Sequence, residues 1–358
     1  MAKPPLMPRG ALANPAGRYE TFSGHAEDDG WWQEEDLPPL RTEVLVDTGR
    51  SVIVYQKSPD IPFDRSINAY RGCEHGCVYC YARPSHNYLG LSSGIDFETK
   101  LFAKPDAAKL LAEELRKPNY DYQPIAMGTN TDPYQPIERK LRVTRSLIEV
   151  LAAHDHPLTI TTKSALVLRD LDLLAPMAAK GLARVALSVT SLTPDIARRL
   201  EPRASAPARR IAAIKGLADA GIPVTVMAAP LIPALTDSEL ENILTAAAQA
   251  GASAAAWILL RLPYDIKELF DQWLQHHRPD KRDHVLSLIR QARGGKLNQS
   301  EFGQRFTGQG PYVDMINQRF HIACKRLGLN IERKPLRRDL FKLPPRPGDQ
   351  LALDLGGP

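Results

Sequence analysis

The sequence predicts an α/β fold of six consecutive βα units carrying an N-terminal and a C-terminal extension. Three observations carry this reading. Short apolar runs recur between residues 66 and 260. Stretches of helical apolar spacing separate them, the pattern of right-handed βαβ units and a parallel sheet buried on both faces. A glycine-containing loop with three closely spaced cysteines follows the first run. Six units fall short of the eight of a closed barrel. That leaves a partial barrel or a doubly wound sheet, and strand patterning does not separate the two.

In chain order, residues 1–55 are rich in Pro, Gly and acidic side chains, show no sustained period, and read as an irregular extension ending in a strand-like stretch at 51–55. Pro59 and Pro62 then break the chain. A strand at 66–70 runs into the cysteine loop. A helix is expected at 107–117, a strand at 124–128, a helix at 144–153 and a strand at 158–162. A helix at 166–180 leads to a strand at 184–190, and two short helices broken by the prolines at 202–207 precede a strand at 224–229. A helix at 237–250 and a strand at 254–260 complete the repeats; residues 267–293 read as mostly helical, and 312–327 as an amphipathic helix. The expected division is an extension at 1–55, the partial barrel at 56–295, and a helical or irregular extension at 296–358.

Composition narrows the class. The 358 residues can bury a large core and contain no apolar run able to span a bilayer. The stretch Met1-Ala2-Lys3-Pro4-Pro5-Leu6 lacks a secretory apolar region. Four cysteines, three of them clustered, are not a disulfide framework, so a reducing, cytoplasmic setting without a membrane partner is expected. The net charge of +5 concentrates in Arg198, Arg199, Arg203, Arg209 and Arg210, and again in Lys325, Arg326, Arg333, Lys334, Arg337 and Arg338. Glu27, Asp28, Asp29, Glu34, Glu35 and Asp36 offset them. Such basic clusters serve phosphate contact or simply face solvent.

The chemistry centres on Cys73, Cys77 and Cys80, a C-x3-C-x2-C spacing in the run Arg71-Gly72-Cys73-Glu74-His75-Gly76-Cys77-Val78-Tyr79-Cys80-Tyr81. Soft thiolates select iron–sulfur clusters, zinc or Cu(I), and three ligands leave a fourth position open, as in catalytic metal sites. The alternative is a zinc or iron–sulfur binding or redox module whose fourth ligand is His75, His86 or Cys324. Cys324 reads as a small core residue of the 312–327 helix.

The loop after a first strand, an aromatic residue before its third cysteine and the six βα units behind it resemble the radical S-adenosylmethionine (SAM) superfamily. Cys80-Tyr81-Ala82-Arg83, Thr131-Asp132-Pro133-Tyr134-Gln135-Pro136, Thr161-Thr162-Lys163-Ser164 and Ser188-Val189-Thr190-Ser191 are similar to the spore photoproduct lyase branch and its uncharacterised bacterial relatives. The resemblance covers residues 66–262 and implies a partial (β/α)6 TIM-like barrel. It implies a [4Fe–4S] cluster held by Cys73, Cys77 and Cys80, with SAM on the open iron. It also implies reductive SAM cleavage to a 5′-deoxyadenosyl radical that abstracts hydrogen from a substrate, fed by a flavodoxin- or ferredoxin-like electron donor. Cofactor contacts are expected from Tyr79, Thr131, Asp132, Lys163, Ser164, Ser188 and Thr190, and radical relay from Tyr79 and Tyr81. Nucleic acid is the first candidate substrate. Where the lyase carries its hydrogen-donating cysteine this chain has Thr129, a far poorer hydrogen-atom donor, which sets it apart from thymine-dimer repair.

Overall fold

The computed structural model describes residues 9–19, 41–332 and 334–345. The acidic patch at 27–36 and Arg333 lie outside them. Ten strands are described: β1 (Glu43–Val46), β2 (Ile53–Tyr55), β3 (Arg65–Ile67), β4 (Tyr70–Arg71), β5 (Lys100–Ala103), β6 (Ile125–Met127), β7 (Leu158–Thr162), β8 (Ala183–Ser188), β9 (Val224–Leu231) and β10 (Ala254–Leu259). Helices fill the crossovers. Between β3 and β6 lie α1 (Asp96–Thr99) and α2 (Ala107–Leu115); between β6 and β7, α3 (Glu138–Leu141) and α4 (Val143–Ala153). The crossover to β8 carries α5 (Leu171–Ala179), that to β9 carries α6 (Pro194–Leu200) and α7 (Pro207–Asp219), and that to β10 carries α8 (Leu240–Gln249). Then follow α9 (Ile266–His277), α10 (Arg282–Ala292) and α11 (Pro311–Leu327).

Strand order resolves the choice that patterning left open. The main sheet runs β10-β9-β8-β7-β6-β3-β2, so from β3 to β10 spatial order follows chain order without reversal. All five of those pairings are parallel, and β2 adds to the edge antiparallel. A doubly wound sheet reverses direction at a switch point. Growth in one direction with crossovers of one hand sets every helix on one face, which is a partial barrel. The sheet does not close: β2 and β10 are its edges.

The sheet is not equally buried on both faces, contrary to the expectation for parallel strands. Burial alternates along β7, β8 and β10. Leu158, Ile160, Val185, Leu187, Val224, Val226 and Leu259 pack under Leu147, Leu151, Leu174, Leu217 and Leu244 of the helices. The other face carries Thr161, Ala186, Thr225 and Ala254 in one register row and Ser188, Met227 and Ala256 in the next. These side chains are small or polar, because the concave face of an open barrel needs room rather than a second packed layer.

Other elements depart from the expected bounds for local reasons. The expected 66–70 strand divides at Asn68. Its side chain takes the Asn130 and Thr131 N–H groups at 2.9 and 3.3 Å, ending β3, and β4 joins a separate three-stranded sheet, β1-β5-β4. The expected 166–180 helix begins as a 3₁₀ turn, Ala165–Asp170, capped by the Ser164 hydroxyl. Helix α7 is not short; Pro at its first turn starts a run of 13 residues. A second apolar core lies under the cysteine loop, where Val78 and Tyr79 meet Ile232, Leu260, Phe270, Trp273 and Ile289. No helix of the described residues is long and apolar enough to cross a membrane.

Candidate active site

Cys73, Cys77 and Cys80 stand on the loop between β4 and the 3₁₀ turn Arg83–Leu89. Its shape starts with glycine: Gly72 and Gly76 sit at φ +77° and +66°, the left-handed region, and a Cβ on Gly72 would lie 2.7 Å from Leu101. The loop backbone is then tied from several directions. Gln135 accepts from the Glu74 N–H at 2.8 Å and donates to the Gly72 carbonyl at 3.1 Å. The Cys73 N–H donates to Phe97 O at 2.9 Å, the Val78 N–H to Leu200 O at 3.1 Å, and the Arg203 N–H to His75 O at 3.2 Å. Arg83, fully buried, donates to Cys77 O at 2.8 Å and pairs with the equally buried Glu98. The loop is therefore preorganised through its backbone, and all three thiols are free of disulfides.

Burial, with the Asp132 carboxylate close by, pushes the Cys73 thiol up, and burial with Glu201 nearby does the same to Cys77. Such thiols give up their protons when a cation replaces them. Three soft donors on one tied loop, Cys73 and Cys77 buried and Cys80 partly exposed, fit an iron–sulfur cluster. Among the described residues no group of three or more His, Cys, Asp or Glu is placed to hold one metal ion. The suggested fourth ligands are engaged elsewhere. His75 Nδ1 lies 3.4 Å from Asp132, His86 packs edge-on against Phe97 with Nε2 2.9 Å from Lys100 O, and Cys324 is buried in the main core of α11.

The remaining candidates divide by what their polar atoms do. Asp132, at the end of β6, accepts from Thr162 Oγ1 at 2.7 Å, the Tyr134 N–H at 2.8 Å and the Lys163 N–H at 2.7 Å. Burial alone would raise its carboxyl, but His75 and these donors hold it down at about 2. It joins the ends of β6 and β7 to the cysteine loop. Thr131 donates to Tyr70 O at 2.7 Å, and Ser164 is a helix cap. Ser188 is buried on the concave face. Thr190 donates to Glu201 at 2.7 Å and to Ala229 O at 3.1 Å. Tyr79 is buried, its hydroxyl donating to Glu201 and 3.2 Å from Thr190. Lys163 has its Nζ 5.9 Å from the Tyr79 ring centroid, and no described carboxylate pairs with it.

Sequence reading missed Glu201 and took Arg210 only as a member of a basic cluster; together they organise this corner. Arg210, 1 % exposed, pairs with Glu201 and donates to Ser188 O at 3.0 Å and Ser205 O at 2.6 Å. Burial pushes the Glu201 carboxyl up, but Arg210, Lys163, Tyr79 and Thr190 outweigh it and bring it to about 2. One member of the basic cluster around residue 200, Arg210, is thus internal and Arg203 is half-buried, and only the mixture of Glu and Arg beside a strand end could have signalled it. On the other side of the loop, Tyr81 is about half exposed and donates to Thr129 O. Arg261, just past β10, stacks over Tyr81 at 4.8 Å and Phe306 at 5.2 Å, and Arg305 stacks over Phe306 at 4.8 Å and Phe302 at 5.0 Å.

A partial barrel with a three-cysteine loop at the carboxyl ends of its strands defines a cluster-dependent enzyme class. The family model "Radical SAM superfamily" matches residues 67–247, and the chain belongs to that superfamily. An uncharacterised protein of Mycobacterium tuberculosis is 38% identical over 232 residues, 64% of this chain and 68% of that protein. One of Methanocaldococcus jannaschii is 32% identical over 176 residues, 48% of this chain and 62% of that protein. Spore photoproduct lyase, solved with dinucleoside spore photoproduct, shares the fold at TM-score 0.58 and 18% identity over 80% of both chains. A variant of that lyase has been solved with bound AdoMet and dinucleoside spore photoproduct, at TM-score 0.56. The superfamily's cofactors are a [4Fe–4S] cluster and SAM, and its enzymes need a reductant.

Proposed function

We propose that Cys73, Cys77 and Cys80 hold the cluster, that SAM completes its open position, and that the bound pair supplies a 5′-deoxyadenosyl radical for hydrogen abstraction from a substrate. The observation that supports this most is the cysteine loop itself, tied through Gln135, Arg83 and Arg203 so that its thiols are left for metal. Lys163, an ammonium with no described carboxylate partner, is assigned to the carboxylate end of SAM. Tyr79 is assigned to the cofactor wall, oriented by Glu201 and Thr190. Asp132 and Thr131 are assigned to positioning that wall rather than to free contact, since their polar atoms are occupied. Ser188, on the concave face, is assigned to the cofactor, and Ser164 to capping.

The substrate side is assigned to Tyr81, Arg261 and Phe306. Alternating guanidinium and aromatic groups suit stacked bases and phosphates, so nucleic acid is the proposed substrate class. With Thr129 beside Tyr81, the hydrogen-returning thiol of the lyase has no counterpart at that strand end, so the proposed chemistry differs from dimer repair. Binding to an oligonucleotide is expected to weaken steeply with salt; weak, flat binding between low and moderate salt would exclude the class.

The first test is anaerobic EPR of the reconstituted, reduced protein with and without SAM. A [4Fe–4S]+ signal that changes on adding SAM, is lost in Cys77→Ala and survives in Cys324→Ala is the expected result. A cluster signal indifferent to SAM would favour a redox module, and zinc without iron would overturn the reading.

A further inference from the structure

Beside the cysteine loop lies a depression of about 380 Å³, formed where the loops after β6, β7 and β8 meet it. His75, midway between Cys73 and Cys77, is part of its wall, as are Arg139, Arg169, Arg203 and Arg209. The carboxylates nearby are already committed. Arg169 is neutralised by Glu138 and Asp170, and Glu74 is held by Arg203 at 3.0 Å and by Thr42 at 2.6 Å. Arg203 Nε is buried without a hydrogen bond, and the buried His75 Nδ1 faces the Asp132 carboxylate at 3.4 Å. Arg139 on α3 and Arg209 on α7 are exposed, and their guanidinium groups have no partner among the described residues. The rim therefore carries uncompensated positive charge from two separate elements, in the same depression that His75 of the cysteine loop lines.

We propose that this arginine-rimmed depression is the docking surface for an acidic one-electron carrier protein of the flavodoxin class, and that the electron enters the cluster across the His75 segment. The inference rests on the cofactor assignment above. In the step, the carrier is oxidised by one electron and the cluster is reduced by one; no bond to the protein changes. Two exposed arginines on different elements present positive charge beside the cysteine loop, and complementary fields of this kind act chiefly on association rate. Arg203 couples the rim to the loop, since its N–H holds His75 O while its guanidinium holds Glu74.

The experiment is stopped-flow reduction of the reconstituted cluster by flavodoxin hydroquinone, across ionic strength. The wild-type rate is expected to fall as salt rises. The double reversal Arg139→Glu with Arg209→Glu is expected to slow it by about ten-fold or more at low salt. Lys109→Glu, an exposed reversal on α2, is expected to leave it unchanged. Photoreduced 5-deazaflavin, a small uncharged reductant, is expected to bring all three proteins to the same EPR amplitude. Labelled flavodoxin is expected to bind the cluster-free protein, and the double reversal to weaken that binding. A double variant reduced by flavodoxin at the wild-type rate, or impaired equally with deazaflavin, overturns the proposal while leaving the cofactor reading standing. No cluster signal with either reductant overturns both.

Discussion

Glu201 illustrates what single residues do in this site. Its carboxylate takes Arg210 on one oxygen and Thr190 and Tyr79 on the other, with all four side chains buried. Removing one partner of such a pair leaves an uncompensated charge, which costs about 3–5 kcal/mol. Glu201→Gln keeps the shape and loses the charge. It is expected to lower the melting temperature markedly and to release the order of Tyr79, seen as altered tyrosine fluorescence. His156, fully buried, makes a different test. Nδ1 is 3.0 Å from Pro157 O and Nε2 is 2.7 Å from the Tyr120 hydroxyl, so the neutral ring donates to one and accepts from the other. Burial, with Arg65 and His154 nearby, brings it down from 6.5 to about 4. A folded value below the unfolded one means the contribution is fully present above pH 6.5 and is lost as pH falls toward 4. The whole contribution is roughly 3 kcal/mol. Denaturant midpoints measured from pH 7 to 4 are expected to fall in the wild type and to fall less steeply in His156→Gln.

At the scale of elements, the cysteine loop depends on side chains far from it in sequence. Gln135 spans the loop, and it is fully buried. Gln135→Ala leaves the Glu74 N–H and the Gly72 carbonyl without partners, at about 1–3 kcal/mol for each group. Lower iron content after reconstitution is expected, with helix content by circular dichroism unchanged; wild-type iron loading would show that the loop needs no such tie. The sequence reading singled out the run Thr131 to Pro136 and the run Cys80 to Arg83, but not what Gln135 and Arg83 do. Apart from the Glu98 carboxylate that Arg83 pairs with, their partners are backbone atoms, and backbone atoms leave no residue-type signal. The same reason hid the β1-β5-β4 sheet, whose strands have two to four residues and pair across more than thirty positions. Strand β7 was legible to its ends because alternation, β-branched residues and flanking Pro157 agree there.

Across the whole molecule, the packed core and a roomy face of small or polar side chains lie on opposite sides of one sheet. Leu187 is fully buried in the core against the helices, whereas its neighbour Ser188 shares the concave face with Met227 and Ala256. Leu187→Ala is expected to cost 2–5 kcal/mol by opening a cavity, roughly the range for buried leucines, while a protein refolded at low temperature keeps its iron content and EPR response to SAM. Loss of cluster binding at full folding would show that the two faces are coupled. The open edge is managed by later chain: the Leu259 N–H donates to Phe306 O at 2.9 Å, and buried Arg293 donates to Leu259 O, Leu260 O and Arg305 O. This brings Phe306 and Arg305 to Arg261, a meeting of positions more than forty residues apart.

The sequence by itself determined the βα repeat, its place in the chain and the three-cysteine loop, because period and spacing are local properties of adjacent residues. Tertiary structure alone decided that the strands run in one direction into an open barrel, and that one sheet face stays roomy. It also decided that Asp132, Thr131 and Ser164 spend their polar atoms within the protein while, among the described residues, no carboxylate pairs with the Lys163 or Arg261 side chain. Those outcomes depend on which distant groups meet, and a side chain's remaining capacity to bind is known only once its partners are in place.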